Sequence, residues 1–102
     1  MSEYDYRAID DFIHSRVRLT IMSFLAAARS AEFTELKTEL KVSDGNLSTH
    51  LKKLEDAKYI TISKQFNGKK PLTLIAISES GDLAFQSYVE GLAHMIGLSK
   101  KD

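Results

Sequence analysis

The spacing of apolar residues divides the first third of the chain into helical and extended segments. Asp5–Phe12 has a short helical pattern. Ser15 is a good N-cap for a longer helix, whose apolar positions repeat at helical spacing over Val17–Ala28. Ala31–Phe33 is too short for a helix, and we expect it to add one extended residue pair to a sheet.

Two further helices follow, separated by a tight break at Val42. Thr34 is the expected N-cap of the first helix, which ends near Lys41. Ser43 is the expected N-cap of the second helix, which covers residues 44–57. One face of this second helix is apolar at helical spacing and carries Leu47, Leu51 and Leu54.

The rest of the chain predicts a β-hairpin and a last helix. Tyr59–Gln65 alternates apolar and polar residues, whereas Leu72–Ile77 is apolar and β-branched. Between them, Phe66–Pro71 is a glycine-containing turn of hairpin length, and we expect its proline to limit strand pairing. Ser78 is the expected cap of a last helix over about residues 79–99. The apolar stripe of that helix comprises Phe85, Tyr88, Leu92, Met95 and Ile96.

This order of elements predicts a mainly α fold with a small β-hairpin, organised as a winged helix-turn-helix. Two short helices joined by a tight turn and followed by a hairpin are typical of that architecture. The chain has 102 residues and a mass of 11.5 kDa, which fits one domain over residues 1–102. Its 43% hydrophobic and 27% charged residues argue against a disordered chain.

The residue types needed for most enzyme and metal chemistry are missing or scattered. The chain has no cysteine, which excludes disulfides, thiolate metal sites and cysteine nucleophiles. Its histidines are far apart in sequence, and Asp82 with His94 is an incomplete metal-ligand set. Ser48 and His50 lie two residues apart on a helix, so they point in different directions and cannot form a catalytic pair. We therefore expect neither enzyme activity nor a bound metal or cofactor.

The first residues are acidic and polar, unlike the basic start of a signal peptide. No apolar run reaches the length of about 18 residues that a membrane-spanning helix needs. We expect a cytoplasmic protein without a membrane partner.

The net charge of the chain is zero, but its basic residues are concentrated in one segment. Residues 1–50 carry a net charge of −2 and residues 71–102 carry −2, whereas residues 51–70 carry +4. A positive segment in a neutral chain predicts a face for an anionic partner. The basic residues of that segment are Lys52, Lys53, Lys58, Lys64, Lys69 and Lys70.

Ser43–Ala57 has the sequence SDGNLSTHLKKLEDA, which resembles the recognition helix of small winged-helix regulators related to the MarR and ArsR families. His14–Leu19 resembles the start of their first core helix. Gly68–Pro71 resembles their wing, and Ile77–Gly81 resembles the cap of their final helix. The resemblance covers residues 10–95 and implies a dimeric transcriptional regulator that binds double-stranded DNA.

Lys58 departs from that family pattern, since such proteins usually carry glycine at this helix end. If the backbone at Lys58 is left-handed, the side chain costs about 1 kcal/mol. The alternative is a helix that ends differently by one residue.

The outer face of the predicted recognition helix suits DNA. Its small residues allow close approach to the major groove, its amides and hydroxyls can reach base edges, and its lysines can reach phosphates. Asn46 is the best candidate for reading a base, because its amide can pair with adenine through two hydrogen bonds. The alternative interpretation is a merely solvated polar face. The candidate DNA-binding residues on the helix are Gly45, Asn46, Ser48, Thr49, Lys52 and Lys53.

The wing, residues 66–71, carries the lysine pair Lys69 and Lys70, which we expect to contact the DNA backbone or the minor groove. The alternative is an exposed turn kept soluble by its charge. Lys64 could add a phosphate contact, although a strand lysine is more often an edge charge. His50 faces partly toward the core, and we expect it to pack there or to bond a nearby backbone group.

The last helix carries more apolar surface than so small a domain can cover, although Leu83 or Val89 could pack in its own core. We therefore expect a homodimer that places two recognition helices about one DNA turn apart. The resemblance to MarR-like proteins leaves room for a small-molecule effector, but the sequence names no ligand. The alternative function is a protein-interaction module without DNA binding. The expected dimer residues are Ile9, Phe12, Phe85, Tyr88, Leu92 and Met95.

Overall fold

The computed structural model describes residues 9–11 and 13–97, which form four α-helices and one three-stranded antiparallel sheet. The predicted mainly α fold with a β-hairpin is confirmed. Most of the expected short helix at residues 5–12, including Phe12, lies outside the described residues. The elements are α1 (Arg16–Ala28), β1 (Ser30–Glu32), α2 (Phe33–Leu40), α3 (Asp44–Asp56), β2 (Ile60–Asn67), β3 (Lys70–Ile77) and α4 (Glu79–Met95).

The three predicted serine caps are confirmed. The Oγ atoms of Ser15, Ser43 and Ser78 each accept a hydrogen bond from the backbone N–H three residues later, at 3.4, 3.1 and 2.9 Å. Each bond satisfies an N–H group that has no partner within its own helix, which fixes where α1, α3 and α4 begin.

The predicted start of α2 at Thr34 is wrong. Glu32 is the N-cap, Phe33 is the first helical residue, and Glu32 and Glu35 form a reciprocal capping box. The backbone N–H of Glu32 donates to Oε1 of Glu35 over 3.4 Å. This capping box gives hydrogen-bond partners to backbone N–H groups at the start of α2, so the helix begins earlier in the chain than a cap at Thr34 would allow. For the same reason, β1 ends at Glu32 rather than at Phe33.

The hairpin turn is shorter than predicted. Only Gly68 and Lys69 form the turn, because Phe66 pairs with Pro71 and Asn67 pairs with Lys70. Gly68 has φ of 67°, a conformation that glycine adopts readily at the first position of a two-residue hairpin turn. The expected limit on pairing at Pro71 is therefore wrong. Residue pairs next to a two-residue turn alternate between hydrogen-bonded and non-hydrogen-bonded pairs. Pro71 lies in a non-hydrogen-bonded pair, so its lack of an N–H group removes no hydrogen bond of the hairpin.

The core lies between α1, α2, α3, α4 and the inner face of the sheet, whose strand order is β1-β3-β2. All three leucines predicted for the inner face of α3 are buried. Among the described residues, no polar or charged residue is buried, so the core is held by apolar packing. The largest fully buried side chains are Ile13, Ile21, Met22, Leu25, Leu36, Leu47, Leu54 and Ile75.

The helix α4 differs from its prediction in length and in orientation. It ends at Met95 rather than near residue 99. Tyr88, expected at a dimer surface, is only 3% exposed, whereas Leu83 and Val89, which could have packed in the core, are 60% and 45% exposed. The reason is that Gly81 packs against the backbone of Tyr59, which turns that side of α4 toward the core. Tyr88 follows Gly81 by two helical turns, so it lies on the same buried side.

Helices α1, α2 and α3 are each followed by a basic residue with positive φ: Arg29 at 73°, Lys41 at 56° and Lys58 at 70°. The left-handed interpretation of Lys58 is therefore confirmed. Its carbonyl oxygen accepts hydrogen bonds from the hydroxyls of Ser78 (2.6 Å) and Ser80 (2.7 Å). These bonds help to hold a conformation that costs about 1 kcal/mol without glycine.

Within the described part of the chain, no helix is long and apolar enough to cross a membrane.

Candidate nucleic-acid interface

The helix-turn-helix unit is formed by α2, the turn at residues 41–43 and α3. Lys41 ends α2 in the left-handed conformation, and Ser43 caps α3 two residues later. Nζ of Lys37 lies 2.7 Å from Oδ1 of Asp44 and links the two helices across the turn. Both side chains are largely exposed, so the ion pair contributes less than about 1 kcal/mol.

The outer face of α3 carries all six helical candidates for DNA binding, and each of them is exposed. The backbone N–H of Asn46 donates to Oγ of Ser43, and its side-chain amide is at the surface. The hydroxyl of Thr49 donates to the carbonyl of Gly45 over 2.9 Å, so its oxygen remains free to accept. The N-terminal half of this face therefore presents an amide, an acceptor and a glycine without a projecting side chain.

Lys52 is less available than its place on the outer face suggested. Its Nζ lies 3.2 Å from Oδ1 of Asp56 and 4.0 Å from Oε1 of Glu55. No carboxylate within residues 9–11 and 13–97 forms an ion pair with Lys53. Counting charges along the sequence missed this difference, although the spacing of Lys52 and Asp56, four residues apart on a helix, could have indicated it.

A groove of about 390 Å³ joins α3 to the sheet. From α3 it is lined by Ser48, Leu51 and Lys52, and from the sheet by residues that include Lys64 and Thr73. Lys64 lies on the edge strand β2, as expected, but the groove also places it beside α3. Sequence reasoning gave it too little weight, because the distance between helix and strand is a tertiary property.

A second groove, of about 550 Å³, continues along the hairpin from Phe33 to the wing. Lys64 lines both grooves, so the outer face of α3 and the wing form one continuous surface. Lys69 lies in the turn and Lys70 begins β3, and both are exposed. Phe66, which the sequence predicted only as part of the turn, lies at this end of the groove and is 74% exposed.

His50 anchors α3 to α1 through a side chain rather than through the expected backbone group. Its Nδ1 lies 3.0 Å from Nη1 of Arg18. Burial lowers the pKa of His50, and the positive charges of Arg18 and Lys53 lower that pKa further. A neutral imidazole can accept from the guanidinium, so this bond positions the recognition helix while the histidine is uncharged.

Two other polar contacts fix the segment before α1 and the helix α4. The hydroxyl of Tyr59 donates to Oδ2 of Asp10 over 2.6 Å, and Nδ1 of His14 lies 3.0 Å from the hydroxyl of Tyr88. Burial, followed by the bond to Asp10, raises the pKa of Tyr59 to about 12. These contacts lie away from the outer face of α3, and their role is to position the surrounding elements.

Comparison with known proteins identifies the family and the fold of this chain. Residues 17–96 match the model of a family described as winged helix DNA-binding domain. An uncharacterized protein from Methanocaldococcus jannaschii is 37% identical over 76 residues, which are 74% of this chain and 83% of that protein.

Among solved structures, a transcriptional regulator homologue from Pyrococcus horikoshii superposes with a TM-score of 0.87 at 28% identity. The match covers 98% of this chain and all of that one. Reduced AbfR bound to DNA superposes with a TM-score of 0.69 at 17% identity, covering 98% of this chain and 68% of AbfR, which is a similarity of fold.

Proposed function

The chain belongs to the family of winged helix DNA-binding domains, and we propose that it is a transcriptional regulator that binds double-stranded DNA through α3 and the wing. The observation that carries this proposal is the single surface that runs from the outer face of α3 through Lys64 to Lys69 and Lys70. A helix that reads bases and a hairpin that holds phosphates must contact the same duplex together, and this surface allows it.

We assign α3 to the major groove. Its 13 residues make a rod about 20 Å long, and the major groove is about 12 Å wide and admits an α-helix. Gly45 and Asn46 lie in the first turns, where the backbone can approach the bases most closely. In this arrangement Asn46 contacts a base edge, while Ser48 and Thr49 contact bases or phosphates. Lys52 and Lys53 lie farther along the helix, where they bind phosphates.

The wing lies on the backbone beside the minor groove, where Lys69 and Lys70 bind phosphates. Among the described residues neither lysine forms an ion pair, so both charges are available. Lys64 joins them from the groove between α3 and the sheet. We infer that the backbone contacts of this protein come mainly from these three lysines and Lys53, since Lys52 must first leave its carboxylates.

The protein binds as a homodimer in this proposal, and α4 forms the contact. Phe85, Val89, Leu92 and Ile96 follow one another at helical spacing, and Val89 and Ile96 are 45% and 57% exposed. This stripe replaces the predicted one, in which Tyr88 took part. Phe85, Leu92, Met95 and Ile9 are half-buried, whereas Phe12 lies outside the described residues. Apolar helix faces of this kind are typical of contacts between subunits.

Analytical ultracentrifugation tests the dimer. We expect a species of about twice 11.5 kDa for the native chain, and dissociation in Val89→Glu, because that change places a charge in the apolar contact. Ser87→Glu is the matched control, since it adds the same charge at an exposed position of α4 on the side away from the stripe. A native chain that sediments as a monomer at all concentrations would contradict the dimer.

Selection from a pool of random-sequence duplexes tests DNA binding. We expect enrichment of a motif with twofold symmetry, whose halves lie about one helical turn apart. The enriched duplex should then be retarded in a gel at low salt, and retardation should weaken steeply as salt is added. If no duplex is enriched or retarded, the alternative of a protein-interaction module is favoured.

A further inference from the structure

The inner face of the hairpin continues beyond the core. Side chains alternate along β2, so Ile60, Ile62, Lys64 and Phe66 share one face. Ile60 is buried and Ile62 is half-buried, but Phe66 is 74% exposed, more than any other large hydrophobic residue in the described part of the chain. This face therefore ends, beyond Lys64, on an aromatic ring that the rest of the described chain leaves largely exposed.

The backbone of Phe66 is fixed by strand pairing, although its side chain is exposed. It pairs across the hairpin with Pro71, and the two residues lie on the same face of the ladder. The turn that follows has only two residues, so the tip has little freedom to rearrange. Proline adds stiffness because its ring fixes φ. The wing thus presents a short, stiff apolar edge made of two ring-containing side chains.

The surroundings of this edge are basic. Lys64 precedes Phe66 on the same face, and Lys69 and Lys70 lie in and next to the turn. An apolar tip flanked by lysines does not suit an apolar protein partner, because docking there would desolvate the ammonium groups. It does suit duplex DNA, where the lysines meet phosphates while an apolar side chain meets the bases.

We propose that Phe66, supported by Pro71, is a wedge that enters the minor groove and partly unstacks one base step. The inference rests on the proposed DNA binding and adds a specificity-determining residue to it. Apolar side chains inserted in this way kink a duplex toward the major groove. Such a bend would curve the DNA around α3. Because pyrimidine–purine steps such as TA and CA unstack most easily, the wedge selects these steps without a hydrogen bond to a base.

The test uses the full chain and the duplex enriched by selection. Bending is measured by gel mobility of circularly permuted fragments, and unstacking by the fluorescence of 2-aminopurine placed in turn at steps beneath the wing. We expect the native chain to bend the duplex and raise the fluorescence. Phe66→Ala should lose about 20° or more of the bend and the fluorescence change. It should keep the same dependence of binding on salt, because no charge is removed.

Leu83→Ala is the matched control, because it removes another exposed apolar side chain, on α4, and should leave the bend unchanged. Phe66→Leu should keep part of the bend, since leucine is also an apolar wedge. If the native chain binds the duplex without bending it, or Phe66→Ala bends it equally, the wedge is wrong and the proposed DNA binding stands. If no duplex is bound, the wedge and the proposed DNA binding are both wrong. If Phe66→Ala changes the sedimentation of the chain and not the bend, Phe66 contacts a second copy and the wedge is also wrong.

Discussion

Gly81 lies directly against the carbonyl group of Tyr59, in the space that a side chain would otherwise occupy. A Cβ atom at position 81 would overlap the carbonyl oxygen and come within 2.8 Å of the carbonyl carbon. The same oxygen accepts the backbone N–H of Ser78 over 3.0 Å, so it cannot move aside without losing that bond. This contact joins the start of α4 to the start of the hairpin and sets which face of α4 meets the core.

Gly81→Ala should therefore destabilise the protein. Overpacking against a backbone atom costs about 1–3 kcal/mol, because the chain must shift to accept the methyl group. Urea unfolding would measure the loss. Gly45→Ala is the matched control, because no atom lies within 4 Å of the added Cβ and alanine favours a helix. Equal losses in both variants would show that the contact with Tyr59 is not the cause.

Lys58→Gly should stabilise the protein, since glycine adopts the left-handed conformation without strain. The gain is at most about 1 kcal/mol and is reduced by the greater freedom of glycine in the unfolded chain. Thermal unfolding would show a higher Tm. Lys53→Gly, which removes a lysine inside α3, should instead lose about 1 kcal/mol. A lower Tm in Lys58→Gly would mean that contacts of the lysine side chain outweigh the backbone strain.

His50 should make stability depend on pH in mildly acidic solution. Its pKa is lowered in the folded state, so the unfolded chain takes up a proton first as the pH falls. The contribution of neutral His50 is thus present above about pH 6.5, the ordinary value, and is lost as the pH falls through the lower pKa of the folded state.

Chemical denaturation of the native chain and of His50→Gln across that pH range would measure this contribution. Glutamine stays uncharged and can still accept from Arg18, so the variant should lose less stability on acidification. Identical pH profiles would contradict the role of His50.

Asn46 and the wing lysines should affect DNA binding differently. The double change Lys69→Ala and Lys70→Ala should weaken binding to all duplexes alike. It should also flatten the salt slope by up to about 3.6, which corresponds to two phosphates per subunit of a dimer. Asn46→Ala should cost about 1–3 kcal/mol on the enriched duplex and little on random DNA, with an unchanged slope. Titrations at several salt concentrations separate the two, and matching behaviour would refute the assigned roles.

Structural features that depend on residues close together in the chain could be predicted from the sequence. The serine caps and the leucine spacing of α3 could be found in the sequence, because each depends on residues within a few positions. The left-handed position of Lys58 was suggested only by the resemblance to winged-helix regulators, which usually carry glycine there. The face of α4 could not be predicted, since it depends on the contact of Gly81 with Tyr59 across the fold. Lys64 was undervalued for the same reason, as its importance comes from a groove between two elements. Phe66 was assigned to a loop, although the alternation of β2 already extended to it.

The hairpin has one further consequence, for the colloidal behaviour of the protein. Within the described residues, β2 has a neighbour on one side only, and β1 pairs with residues 74–76 of β3 alone. Unpaired strand edges of this kind are templates for strand-to-strand aggregation, which natural proteins suppress with lysine and proline. Lys64, Lys70 and Pro71 lie along these edges, so we expect the same residues that we propose to contact DNA to limit strand-to-strand pairing between copies of the chain.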